Sequence, residues 1–216
     1  MKNYKNNLEL LSKNHVYSHE MEHDACGVGL IASTEGKKSR AVVEHGIEAL
    51  KAVWHRGAVD ADGKTGDGAG IHLEIPKDFF IEKIQVTGHH HDNSEICVGM
   101  IFLPKNDYSS QENSKTIVES ELTKNDFNIY GWRQVPVNPK VLGEKALQTM
   151  PEIIQVLFKS NNPNLLDKEL ERKIYETRKK IENSANRLSL NNFYVCSMSS
   201  KSIIYKGMFL AEAISD

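Results

Sequence analysis

The order of apolar patterns along this chain predicts an α+β or layered α/β domain. Three stretches carry that prediction. Val43, Ile47, Leu50 and Trp54 step by four, three and four, which is one face of an amphipathic helix. Ile96 to Leu103 is a continuous apolar run closed by Pro104, the mark of a strand buried on both faces. Between them, residues 57–68 are rich in Gly and Asp with almost nothing to bury. They read as a loop leading into a strand, Ala69 to Ile75, that Pro76 ends.

The remaining elements follow in order. Residues 26–32 read as a buried strand of small and branched residues, and Ser33 to Ser39 as a turn. The helix then runs from Arg40 to Trp54. Asp78 to Ile84 suits a short helix, and Thr87 to Ser94 a loop carrying His89, His90 and His91. Thr116 to Leu122 reads as helical. Phe127 to Val135 has aromatic and β-branched residues between turn signals and reads as a strand. Residues 140–148 and 151–159 read as helices, with Pro151 at a helix start. Leu165 to Ala185 is charged, with Leu170, Ile174 and Ile181 on one side, which predicts a long surface helix. Phe193 to Met198 and Ser202 to Tyr205 read as a hairpin around Ser199, Ser200 and Lys201. Met208 to Ile214 is apolar with no tail-like composition after it, so the natural protein is expected to continue past Asp216.

Bulk properties exclude several classes of function. The chain has 216 residues and a net charge of -2, which leaves no electrostatic footprint for nucleic acid or an anionic membrane. Its three cysteines include no C-x-x-C pair and cannot complete a disulfide set, so a reducing, cytoplasmic setting is expected. The N-terminus has scattered charges and no apolar core of a signal peptide, and no segment approaches the ~20 apolar residues of a membrane span. Residues 1–25 are polar, rich in Asn, Lys and His, and read as a removable leader before a domain at 26–216.

Cys26 is the residue on which chemistry turns. It follows His23, Asp24 and Ala25 and precedes Gly27, at the start of an apolar run. If residues 1–25 are removed, Cys26 gains a free α-amino group. One residue then supplies a thiol with an unperturbed pKa near ~8.5 and an amine near ~7.7–8.0 that accepts its proton at neutral pH. The other reading of the same residue is a buried structural cysteine.

Two further motifs follow in order: Trp54-His55-Arg56-Gly57-Ala58 and Thr65-Gly66-Asp67-Gly68-Ala69-Gly70. Together with His23 to Gly29, they resemble the N-terminal glutamine amidotransferase (type 2) domain of the glutamate synthase large subunit. Ile75 to Phe80, Gly99 to Pro104, Gly131-Trp132-Arg133 and Tyr205 to Met208 resemble it as well, so the likeness runs from about His19 to the end. The resemblance implies an N-terminal-nucleophile (Ntn) hydrolase fold, a four-layer αββα sandwich, here incomplete at its C-terminal end. It implies removal of the propeptide, hydrolysis of L-glutamine to glutamate and ammonia through a Cys26 thioester, and passage of the ammonia to a separate part of the enzyme that reductively aminates 2-oxoglutarate. FMN and an iron–sulfur cluster belong to the full-length family enzyme, and no residue of this segment is assigned to either. The implied partners are the remaining domains of the large subunit and a small electron-supplying subunit.

Carried over by position, Cys26 matches the nucleophile, and Arg56 and Gly57 match the pair beside it. A guanidinium near the thiol lowers its pKa and offers planar hydrogen bonds to the turn. Asp67 either orients Arg56 or the amino group of Cys26, or caps a turn. Thr65 to Gly70 lacks the phosphate-loop pattern and reads as a glycine-rich loop approaching the active-site strand closely. His89, His90 and His91 are adjacent and cannot easily converge on one ion, so they read as a solvated loop and no metal is expected. His55 as a general base is redundant beside the free amine. Cys97 and Cys196 lie in apolar strand patterns and read as inert core thiols. The family's oxyanion-hole Asn-Gly pair, and its grip on the glutamine carboxylate, lie downstream of the region matched here. This segment alone is therefore expected to be inactive. The alternative function is a non-catalytic truncated or split module with a structural or regulatory role.

Overall fold

The computed structural model describes residues 2–14, 27–53, 57–165 and 167–215. Two antiparallel sheets and six α-helices organise them, in the order α1 (Lys2–Asn14), α2 (Arg40–Ala52), β1 (Ala69–Glu74), α3 (Lys77–Val86), β2 (Cys97–Leu103), α4 (Tyr108–Lys124), β3 (Phe127–Gln134), α5 (Glu144–Thr149), β4 (Glu152–Ser160), α6 (Asp167–Arg187), β5 (Tyr194–Ser199) and β6 (Ser202–Gly207). The larger sheet has strand order β3-β4-β2-β5, and the smaller pairs β1 with β6.

The strand period of two explains how the larger sheet builds two cores. Along β2, Cys97, Ile101 and Leu103 face one side, where α4 brings Ile117, Val118 and Leu122 and α6 brings Leu170, Ile174 and Ile181. Val98 and Met100 face the other, toward Ile75, Phe80, Ile84 and Ile203 from β1's end, α3 and β6. β4 alternates in the same way: Ile154, Val156 and Phe158 face the helices while Leu157 faces the second core. The predicted faces of α6 (Leu170, Ile174, Ile181) and of β2 are the buried ones. α2 contacts β1, where the Ile71 side chain reaches Gly46.

Four expectations are corrected. Residues 152–160 form β4, not a helix over 151–159. A run buried on both faces carries no alternation, so period cannot separate it from a buried helix. The β-branched Ile153, Ile154 and Val156 were the cue. The helix expected over 140–148 is split into a 3-10 turn, Pro139–Val141, and α5, with Gly143 between them. β5 and β6 do not pair as a hairpin: β5 pairs with β2 and β6 with β1. The connecting corner is held by Glu171 of α6, which accepts hydrogen bonds from Ser199 Oγ (2.9 Å), Ser200 N (2.7 Å) and Ser200 Oγ (2.7 Å). Finally, Gly27 to Ser33 belongs to no strand, and Val28 and Leu30 are 90% and 89% exposed. Strand propensity is realised only where a neighbouring edge accepts the hydrogen bonds, and no described edge pairs with this run. Cys26, and the end of the α2 pattern at Trp54, lie outside the described residues.

Phe158 is fully buried, edge-on to Phe127 with ring centroids 5.2 Å apart. Phe158→Ala should therefore cost about 3–5 kcal/mol by urea unfolding, whereas Val86→Ala, on a side chain that is 83% exposed, should leave the midpoint unchanged.

Candidate active site

Residues 58–67 form a short antiparallel hairpin on the rim of the smaller sheet. Val59 and Gly66 bridge across it. Asp67 N donates to Ala58 O (3.3 Å), Asp60 N to Thr65 O (2.8 Å) and Gly63 N to Asp60 O (2.9 Å). The hairpin sets its two feet side by side, so Gly57 and Asp67, taken from separate motifs, flank one short ladder. Gly27, Gly57 and Asp67 all line one cleft, shared with Tyr205 and Phe209. Its volume, about 2340 Å³, is well above the ~300–1,000 Å³ of a small-molecule pocket, so it is a broad groove rather than a closed substrate site. Cys26 and Arg56, like His55, lie outside the described residues.

The tip of the hairpin is closed by Asp62. Its Oδ1 accepts from Lys64 N (2.9 Å) and Thr65 N (2.7 Å), and its Oδ2 from Thr65 Oγ1 (2.6 Å). These donors stabilise the charged form, the Thr65 hydroxyl most of all, and hold the Asp62 carboxyl well below the usual carboxylate range. Asp60 is lowered too, first by its hydrogen bond from Lys145 Nζ at 2.7 Å.

The glycine-rich segment after the hairpin makes a close backbone approach, and the partner is β6. A side chain at Gly70 would sit 2.9 Å from the Tyr205 carbonyl oxygen, and one at Gly66 would sit 2.8 Å from the Phe209 carbonyl oxygen. Gly68 has φ +126°, a backbone region that side chains disfavour. Among the described residues the close approach is thus to β6 and Phe209, and not, as expected, to the run after Cys26, which forms no strand. Asp67 is exposed.

His89 and His91 both pack against the buried Tyr130 ring, at 6.1 and 6.4 Å between centroids. His91 Nε2 reaches Ser94 O at 2.9 Å, and His89 Nδ1 reaches Thr87 Oγ1 at 3.1 Å. Among the described residues no group of three or more His, Cys, Asp and Glu is arranged to hold a metal ion. Cys97 is fully buried and Cys196 4% exposed, and burial pushes both thiols above their ordinary pKa. No described helix is long and apolar enough to cross a membrane.

One polar line was not foreseen. Gln155 is fully buried between the sheets. Arg133 Nη1 donates to its Oε1 (2.8 Å), and its Nε2 donates to Tyr205 Oη (3.2 Å). The Gly131-Trp132-Arg133 and Tyr205 to Met208 segments, far apart in sequence, are thereby joined through β4. A Gln in a run otherwise apolar was the available signal.

Residues 26–216 match the family described as "Glutamine amidotransferases class-II". The chain belongs to this family. It is 50% identical over 212 residues to the "Glutamate synthase [NADPH] large chain" of Azospirillum brasilense, covering 98% of this chain and 14% of that one. It is 39% identical over 198 residues to the "Ferredoxin-dependent glutamate synthase" of Antithamnion sp., covering 88% of this chain and 13% of that one. Against "Ferredoxin-dependent glutamate synthase 1, chloroplastic/mitochondrial" of Arabidopsis thaliana it is 40% identical over 195 residues, 89% of this chain and 12% of the relative. The chain thus spans about one seventh or less of the length of these relatives.

The lowered Asp62 carboxyl fixes the sign of a pH effect. Because its folded pKa lies below the unfolded value of about 3.9, the turn's stabilisation is present above that value. It is lost as pH falls through the folded pKa. Protection of the Lys64 and Thr65 amides against hydrogen exchange, corrected for intrinsic rate, should therefore be the same at pH 7 and pH 5. It should decline only in more acidic solution than the unfolded value.

Proposed function

We propose that residues 26–216 form the front of a glutaminase unit in a glutamate synthase large subunit, that residues 1–25 are its propeptide, and that the complete unit is a four-layer αββα sandwich. The observation that carries this reading is that the class-II amidotransferase match opens on Cys26 itself, at the leader boundary expected from composition and thiol chemistry. The relatives' names supply the glutamate synthase context.

In this reading, cleavage before Cys26 turns its nitrogen from an amide into an amine. The amine takes the thiol proton, and the thiolate attacks the side-chain carboxamide carbon of L-glutamine. The tetrahedral intermediate collapses as the protonated nitrogen leaves as ammonia, giving a γ-glutamyl thioester. Water then attacks the thioester carbon, releasing glutamate and restoring the thiol. Arg56 beside the sulfur favours the thiolate, Gly57 lets the backbone approach it, and Asp67 orients Arg56 or the α-amino group. Oxyanion and carboxylate ligands for glutamine are supplied from outside this chain. So is the site where ammonia meets 2-oxoglutarate, with its FMN, iron–sulfur cluster and electron-supplying partner. The burial of Cys97 and Cys196 supports Cys26 as the reactive thiol, since a desolvated thiol resists ionisation.

The full-length protein tests this directly. A glutamine-mimicking electrophile should label Cys26 stoichiometrically and leave Cys97 and Cys196 unmodified, as read by peptide mass. Cys26→Ser should abolish glutamine-dependent glutamate formation while ammonia-dependent formation persists. Active enzyme that still carries residues 1–25 would refute the mechanism.

A further inference from the structure

The hairpin that sets Gly57 beside Asp67 is fastened to the rest of the fold at its tip. Thr65 is 3% exposed, and its hydroxyl both donates to Asp62 Oδ2 (2.6 Å) and accepts from Ala146 N of α5 (3.4 Å). Gly143, the residue before α5, is buried against the same turn. A methyl group there would overlap the Asp62 carboxylate and the Thr65 hydroxyl and come within 2.5 Å of Thr65 N. Asp60 and Lys145 add an exposed ion pair, which solvent screens. An isolated two-stranded hairpin is marginal in water, and this ladder is only a few residues long. The order of its feet therefore depends on what holds the tip.

We propose that Asp62, Thr65 and Gly143 form a clasp that positions the nucleophile-supporting segment ending at Gly57. The inference rests on the amidotransferase reading above, in which Arg56 immediately precedes that foot. Asp62 closes the turn, Thr65 plugs it into α5, and the absent side chain at Gly143 lets the two meet. These are positioning residues, acting through Arg56 and Gly57 on the Cys26 sulfur. A displaced foot moves the guanidinium from the thiol, so the thiol pKa rises and the attack geometry degrades.

The test uses the processed full-length enzyme carrying Thr65→Val, Thr65→Ser, Asp62→Asn, Gly143→Ala or Lys145→Met. Two quantities are read: kcat/KM for glutamine hydrolysis, and the midpoint of the pH dependence of Cys26 alkylation by iodoacetamide. Thr65→Val and Gly143→Ala should lower kcat/KM at least tenfold and move the alkylation midpoint upward. Thr65→Ser keeps the hydroxyl and should stay within twofold of wild type, as should Lys145→Met. Asp62→Asn keeps the side-chain shape at an exposed position, so it stays folded even if a core variant does not. It should shift the midpoint in the same direction. Folded Asp62→Asn or Gly143→Ala enzyme with the wild-type midpoint would overturn the clasp, whatever its activity. Failure of the reading beneath it looks different: the unmodified enzyme would then leave glutamine intact and Cys26 would titrate as an ordinary thiol.

Discussion

Strands β2 and β4 lie side by side with both faces dry, and the rest of the architecture answers that constraint. A sheet buried on two sides needs a cover on each, so α4 and α6 close one face and α3 with β6 closes the other. It also tolerates no unpaired polar group in its interior. Gln155 stands in that interior, and its amide is satisfied at both ends, by Arg133 from β3 and by Tyr205 from β6. Because the guanidinium only donates, the amide oxygen must face Arg133, and the nitrogen is left to face the phenol. The pairing ties the smaller sheet to the larger one through a buried polar contact.

That tie places the smaller sheet, and the smaller sheet places the candidate site. β1 and β6 are paired from Ala69 with Gly207 to Glu74 with Ser202. Gly70 opposes Lys206, so the glycine-rich segment can press against the β6 backbone only where side chains are missing. The hairpin 58–67 hangs from the start of β1 and is caught at its far end by α5. The site is therefore suspended between two supports of different kinds. One is a sheet edge set by packing, and the other a turn set by hydrogen bonds to a single carboxylate. The second is the softer of the two, because the carboxylate that sets it, Asp62, is exposed to solvent.

Much of this was legible in the sequence where one physical signal dominated. The helical face at Val43, Ile47 and Leu50, the face of α6, and the two-sided burial of β2 all follow from periodicity. The motif residues Gly57 and Asp67 were legible as candidates through the resemblance alone, and the hairpin supplies the adjacency that sequence separation hid. What was not legible depended on contacts between distant segments. Nothing local says that Gly143 must be bare to admit Asp62, so the break before α5 was invisible. β4 was misread because continuous burial erases the very alternation that identifies a strand. β5 and β6 were misread as a hairpin because the glutamate that turns the corner between sheets comes from α6. The apolar run at Val28 to Ala32 shows the converse: propensity without a described partner leaves an exposed segment.

The three cysteines show how position, more than residue type, assigns reactivity. Cys97 and Cys196 occupy core strands, where losing a proton would leave a charge in a dry environment, and burial keeps them protonated. On the amidotransferase reading, Cys26 differs in having its base supplied by the chain itself, and only once residues 1–25 are gone. While they are attached, the Cys26 nitrogen belongs to a peptide bond and its lone pair is delocalised into the carbonyl. It cannot accept a proton from the thiol. On that reading, removal of residues 1–25 changes the protonation chemistry of Cys26 itself. On the same reading the proposed nucleophile stays without its base through synthesis and folding, and gains it when the new terminus is made.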